Sequence, residues 1–542
     1  MTQKNGNRKV ESSVKRTTFL GHLGLVAGTF RELEVDKLID EKLPKKRDHN
    51  IPHSICILAM VLNGLGFTDQ RLYLFPDFFK NISVKRLIGE NVTKEDLNQY
   101  TIGETLDKIA KYGPTKLFTE IVLHVMSRLP IPVQRLHADT TSVSLYGDYD
   151  DEDTEAIDIT FGVPKNGRWD LKQFVLSLIV NQHGIPLFMS THSGNAPDKH
   201  TIIGSIKSFK SVLRPESKVY YVADSSFYTA DNIENMGRSF WISRVPSTIT
   251  EAKELLAANM KLKTLKSDDR YSFFQTFVEY GGVKQNWVLL RSSNMKGKKE
   301  ATLKKNLEKE MEKARKSLKK LKSELYFCEE DALKAAEKWI QDYPSIVFEK
   351  VELKTVKKRE SGKRGRPSKN EKLKTYYTID HDIKTNEAFV SKEMEKAGLF
   401  IIASNDVSLT PGDMLKYYKG QDRVEKGFRF LKSNTFSVSK VYLKNKARIE
   451  ALVMIMVLCL MIYSIAEWKL RTKLEEEDET VPDQKGKPTK RPTMRWIFFK
   501  FQGITELITE KEGEIESEIL NMEDVNWNIL SLMGEKCENI YL

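Results

Sequence analysis

Three acidic side chains fall where an ionised group is expensive. Asp139 lies inside a strand-like run, LHADTTSVSLY; Asp224 closes a second, KVYYVAD; Glu425 sits mid-helix, soon after the apolar run GLFIIAS. A carboxylate embedded in or ending a core strand costs free energy unless something compensates it. A divalent cation is one such compensation. Hard cations take carboxylate oxygens, and Mg²⁺ is commonly held by a few carboxylates, waters and phosphate. Two such ions about 4 Å apart activate an attacking oxygen and stabilise a leaving one in phosphoryl transfer. Each acid also has a plainer use, Asp139 as a carboxylate satisfied by backbone N–H groups and Asp224 as a turn cap.

The stretch around Glu425, TPGDMLKYYKGQDRVEKGFRFLKS (Thr410–Ser433), reads as one helix. Thr410 suits the N-cap, Pro411 the first helical position and Asp413 the capping-box acid. On a wheel with Tyr418 at zero, Gln421 falls at roughly −60°, Glu425 at −20°, Arg429 at +20° and Lys432 at −40°. One stripe thus carries a phenol, an amide, a carboxylate and two cations, a set suited to a phosphate backbone and a metal. Arg423 points about 140° away from Tyr418. The same stripe is also what a solvated face with a Glu425–Arg429 pair would look like.

The rest of the chain must position these groups. With 87 Lys+Arg against 75 Asp+Glu in 542 residues, the net charge is +12. That balance points to an anionic partner, nucleic acid first. Cys56, Cys328, Cys459 and Cys537 are too far apart for a zinc knuckle or disulfide framework, which fits a reducing, cytoplasmic setting. The N-terminus lacks the apolar core of a signal peptide. The run Ala451–Ala466 is about sixteen residues, short of the roughly twenty of a membrane span, and reads as a helix buried in protein.

Residues 1–18 read as disordered and 19–130 as a helical domain, from three- and four-residue apolar spacing. From Pro132 the pattern becomes strand-like. Three strands joined by short turns (133–146, 173–180, 185–191) are followed by a helix from Asp198, a strand ending at Ala223, a helix near Thr229–Met236 and a strand at Phe240–Val245. That order describes a mixed sheet with helical cover, an α/β fold. It defines a first core part at 131–246 and a second at 398–470, with a linker and C-terminal segment at 471–542. The segment 247–397 breaks the rhythm and reads as an insertion. It holds a charged helix with a leucine seam and, over Lys350–Lys374, eleven Lys/Arg against three Glu.

The segments LHADTTSVSLYG, YYVADSSFYT and YYKGQDRVEKGFRFLKS resemble DDE transposases of bacterial insertion sequences, in the YREK-signature group of the IS-four superfamily. The resemblance runs from about residue 19 to 505. It implies an RNase H-like catalytic domain carrying a large insertion, plus a helical N-terminal domain that binds DNA ends. It implies that Asp139, Asp224 and Glu425 hold two Mg²⁺ ions, with Mn²⁺ as a substitute, for DNA cleavage and strand transfer. The signature Tyr, Arg, Glu and Lys fall on Tyr418, Gln421, Glu425 and Lys432. Gln421 departs from the signature and resembles a subgroup with Gln there; it can hydrogen-bond phosphate but brings no charge. Tyr418, Gln421, Arg429 and Lys432 are the expected contacts to DNA phosphates. The insertion lies between Asp224 and Glu425, where the family has one, and its Arg364-Gly365-Arg366-Pro367 resembles an AT-hook. An extended Arg364–Arg366 segment suits a narrow minor groove, and a solvated basic linker is the other reading. His137, on the same strand face as Asp139, reads as core packing, with a DNA contact as its other use. Expected partners are the terminal inverted repeats, target DNA and a second copy of the chain on paired ends, with no membrane. A nuclease of the same fold without strand transfer, and a catalytically inactive DNA-binding protein, remain as rival readings.

Overall fold

The computed structural model describes residues 14–45, 51–67, 75–149, 156–213, 218–349, 352–359, 373–433, 443–511 and 514–542. The chain forms two compact units: Met1–Ser243 with Glu279–Val283 and Lys416–Leu542, and Arg244–Val278 with Lys284–Leu415.

The first unit holds the expected sheet. Its strands are β1 (Arg135–Leu145), β2 (Lys172–Asn181), β3 (Pro186–Ser193), β4 (Tyr220–Ala223) and β5 (Phe240–Val245), in the order β3-β2-β1-β4-β5. The first three are antiparallel neighbours, and β1, β4 and β5 run parallel. A crossover helix, α1 (Asp198–Val212), joins β3 to β4, and a second, α2 (Ala230–Met236), joins β4 to β5. Parallel neighbours need such crossovers, which is why helical patterns alternate with strands here and not earlier. β2 is buried along nearly its whole length, since α1 packs on it.

The predicted single helix at Thr410–Ser433 is two helices, α3 (Pro411–Lys419) and α4 (Asp422–Leu431). Its start is as the caps imply: Thr410 Oγ1 accepts from the Asp413 N–H at 3.2 Å and donates to the Asp413 carboxylate at 2.6 Å. The break falls at Gly420-Gln421, where the N–H groups reach back three residues, to Tyr417 and Tyr418. The cause is packing. A Cβ on Gly420 would lie 2.5–2.6 Å from the His137 ring, so only glycine lets the chain press onto β1 there. A single helical wheel therefore does not hold across this junction.

The apolar run lies within α5 (Lys446–Glu476), which is long and apolar enough to cross a membrane, with mean hydropathy 2.4 over its apolar window. That window is 78% buried inside the unit. A helix apolar on every side is a core helix when neighbours surround it. Here the neighbours are α4, β3, the N-terminal helices Leu23–Glu32, His53–Leu65, Gln99–Tyr112 and Pro114–Arg128, and the C-terminal helices Met494–Lys500 and Asp524–Met533. The N-terminal helices, the sheet and the C-terminal segment thus share one core, without separations at 130 or 470.

Disorder was expected through residue 18, but Val14–Phe19 is a strand, paired antiparallel with Thr505–Lys511. Buried Glu506 accepts from Ser83 Oγ at 2.5 Å and Arg86 Nε at 2.6 Å, which fixes this contact between the two ends of the unit.

The second unit contains the insertion. Leu399–Ser404 pairs antiparallel with Val283–Ser292. The charged helix Ser293–Ser323 buries Ala314, Leu318 and Leu321 against Ala332, Ala336 and Trp339 of helix Glu329–Gln341, with Ile346 and Ile379. The leucine seam is therefore satisfied within the chain. Arg364-Gly365-Arg366-Pro367 lies outside the described residues.

Candidate active site

β1 and β4 bring two of the acids together by register. Ala138 is opposite Ala223 on these parallel strands, so Asp139 and Asp224 follow side by side. Adjacent strands lie about 4.8 Å apart. Thr140 N donates to Asp139 Oδ1 at 2.7 Å. Ser226 donates to Asp224 Oδ1 from both N–H (2.9 Å) and Oγ (2.6 Å), and Ser243 Oγ holds the Asp224 carbonyl at 2.8 Å. These are the strand-acid and turn-cap roles that the plainer readings allowed, and they orient the two carboxylates.

α4 packs across β1. Buried Gln421 fixes its start, with Nε2 donating to the Ala138 carbonyl at 3.1 Å. That carbonyl directly precedes Asp139. Gln421 was expected to face DNA phosphate; the helix break turns it inward instead, and its amide is engaged with the strand. Lys432, at the other end of α4, donates to Thr141 Oγ1 at 2.6 Å. Burial, with Lys165 nearby, lowers its ammonium to about 8. Glu425 and Arg429 are exposed on α4, and Tyr418 is half-buried on α3. His137 is buried against Gly420 as core, and burial holds it neutral, down to about 3.

Asp139 carries the electrostatic signature of the site. Burial is the largest cause raising its carboxyl, to about 7; Lys165 opposes the rise, and Asp224 and Glu425 add to it. Asp139 thus feels the charges of both other acids. Among the described residues, however, no group of three or more His, Cys, Asp or Glu side chains stands close enough to hold a metal ion. The donor chemistry nevertheless fits a hard cation: all-oxygen ligands, two half-buried and one exposed, whose charges repel until a positive charge arrives.

Lys165 is the residue that sequence reasoning missed. Its ammonium lies 3.9 Å from Asp139 and 3.5 Å from Asp198, and it donates to the Thr140 carbonyl. Asp198, the first residue of α1, accepts from Thr140 Oγ1 at 2.8 Å. Lys165 sits in the loop between β1 and β2, where no periodic pattern marks it; only a list of charges near the strand ends in space would have found it.

The family described as Transposase DDE domain matches residues 138–462, and a domain of unknown function, DUF4277, matches residues 15–123. No curated protein matches the chain.

Proposed function

Because a transposase DDE domain covers more than half of its length, the chain belongs to that family, with DNA as its implied partner, and we propose that it is the transposase of an insertion sequence. It binds the element's ends, cuts them by metal-dependent phosphodiester hydrolysis and joins the freed 3′-OH to target DNA. The observation that carries this reading is the register of β1 and β4, which sets Asp139 beside Asp224 under a helix that carries Glu425.

In this reading Asp139, Asp224 and Glu425 hold two Mg²⁺, or Mn²⁺, which supply charge stabilisation and a deprotonated water. The chain's own groups do the positioning. Thr140 and Ser226 orient the two aspartates, and Lys165 balances Asp139 in the protein alone. Gln421 holds the start of α4 against β1. Tyr418, Arg429 and Lys432 would contact DNA phosphates, with Lys432 close enough to Asp139 to feel its charge. Tyr418, Glu425 and Lys432 keep the signature spacing, which supports placement in the YREK group. At the position where the signature has Arg, the Gln421 amide would position the helix instead. The reading also carries a homodimer on paired ends and a cytoplasmic location.

The test supplies the protein with Mg²⁺, a duplex ending in the element's terminal repeat and a supercoiled target. Covalent joining of the repeat's 3′ end to target is the expected product. Cleavage without any joined product would leave a nuclease.

A further inference from the structure

Arg423 fell outside the polar stripe in the sequence, and the carboxylate site does not use it. In the structure its Cβ packs 3.9 Å from the position a side chain would take at Gly184, in the turn between β2 and β3. The same turn brings up His183, whose ring lies 6.2 Å from Trp468 on α5, one helical turn before Arg471. Leu136 is paired with Asn181, so Arg135 stands at this end of the sheet too, its guanidinium 4.9 Å from the Tyr417 ring. The buried side chain of Gln182 accepts from the N–H groups of Gln134 and Arg135 and pins the corner.

Three guanidiniums and an imidazole thus converge from β1, the β2–β3 turn, α4 and α5. Arg135, Arg423 and Arg471 each lower the His183 pKa, after burial, which is the largest cause. The neighbouring acids are already engaged. Glu467 pairs with Arg471 at 2.6 Å, Glu475 with Arg491 at 3.2 Å and Asp422 with Lys426 at 2.5 Å. Among the described residues Arg135 and Arg423 make no ion pair, and Arg135 Nε is buried with no hydrogen-bond partner. Uncompensated, partly desolvated charge of this kind is costly and suits an anion. The planar guanidinium fork matches phosphate.

We propose that Arg135 and Arg423, with Arg471 and His183 beside them, bind a backbone phosphate of duplex DNA at the start of β1, ahead of Asp139 on the strand. Arg423 and Glu425 are two residues apart on α4, about 200° around the helix, so this phosphate is not the one that is cut. The cluster offers charge and no base-reading pattern, so its ligand is duplex of any sequence, as target DNA is. The identity of that ligand as DNA rests on the transposase reading.

The experiment titrates a short duplex of arbitrary sequence with the full chain in EDTA at several salt concentrations. Without divalent ions, its outcome is independent of whether the carboxylates bind metal. Arg423→Ala is expected to reduce the slope of log K against log salt by about one unit, and Arg135→Ala with Arg423→Ala by about two. Arg423→Lys is expected to keep most of the slope. Arg423 is exposed, so matched thermal melting checks that the fold is intact. An unchanged slope in both alanine variants, or a lysine variant as impaired as the alanine one, would overturn the proposal.

Discussion

At the scale of single residues, environment decides what each polar group does. Gln421 and Arg423 are neighbours but one, yet one is buried on a strand carbonyl and the other faces the β2–β3 turn. Removing the Gln421 amide breaks one hydrogen bond and leaves the Ala138 carbonyl unpaired on that side. Gln421→Ala is therefore expected to lose about 1–2 kcal/mol of stability in urea unfolding. It should also weaken cleavage more than end binding, since it loosens α4 beside Asp139. A loss of binding with cleavage intact would return Gln421 to a phosphate contact. The positions of Asp139 and Asp224 were legible because a carboxylate within or after a run of apolar, β-branched residues is conspicuous. Lys165 was not, because a loop lysine carries no pattern. Nor was the arginine cluster, whose members lie at positions 135, 423 and 471 and meet only through the sheet register.

Among the elements, the strands between 133 and 245 and their sequence along the chain could be read ahead of the structure, since two-residue alternation and helical crossovers each leave a clear pattern; the strand Val14–Phe19 could not. The break between α3 and α4 could not. Its cause is the His137 ring, a tertiary contact, while Gly420 and Gln421 sit in otherwise regular helical sequence. Gly420→Ala would drive a methyl group into that ring. Overpacking of this kind costs about 1–3 kcal/mol, and chemical denaturation of the variant measures it. A neutral Gly420→Ala would mean that the junction can relax away from β1. His22 gives an element-level pH dependence. It is buried, stacks on Phe498 at 4.5 Å and bonds to the Leu65 carbonyl at 2.8 Å. Burial, partly offset by that hydrogen bond, lowers its pKa to about 4. The unfolded chain takes up a proton near 6.5 while the folded chain does not. Stability from this group is present above pH 6.5 and is lost as pH falls toward 4. Between pH 7 and 5 the wild type should lose about 2 kcal/mol more than His22→Phe. Equal losses in the two proteins would show that His22 titrates freely in the fold.

At the largest scale, one long apolar helix organises the first unit. α5 is surrounded by N-terminal helices, sheet and C-terminal segment, so these parts form one unit with a common core. Sequence periodicity registers where elements start and stop, but not which of them share a core. In the sequence, the charged helix and basic stretch of 247–397 interrupt a regular alternation of strands and helices. The seam of that helix closes on Trp339 within the same unit. In the proposed function, this scaffold holds three carboxylates for metal-dependent cutting of DNA. The most direct measurement is the rate of Mg²⁺-dependent cleavage of a terminal-repeat duplex by Asp139→Asn, Asp224→Asn and Glu425→Gln, with binding of the same duplex followed in parallel. Each variant should bind the duplex much as the wild type does and cut it at least a hundredfold more slowly, about 2.7 kcal/mol in the barrier. Cleavage near the wild-type rate in any one of them would contradict the assignment of that residue, and in all three would contradict the account.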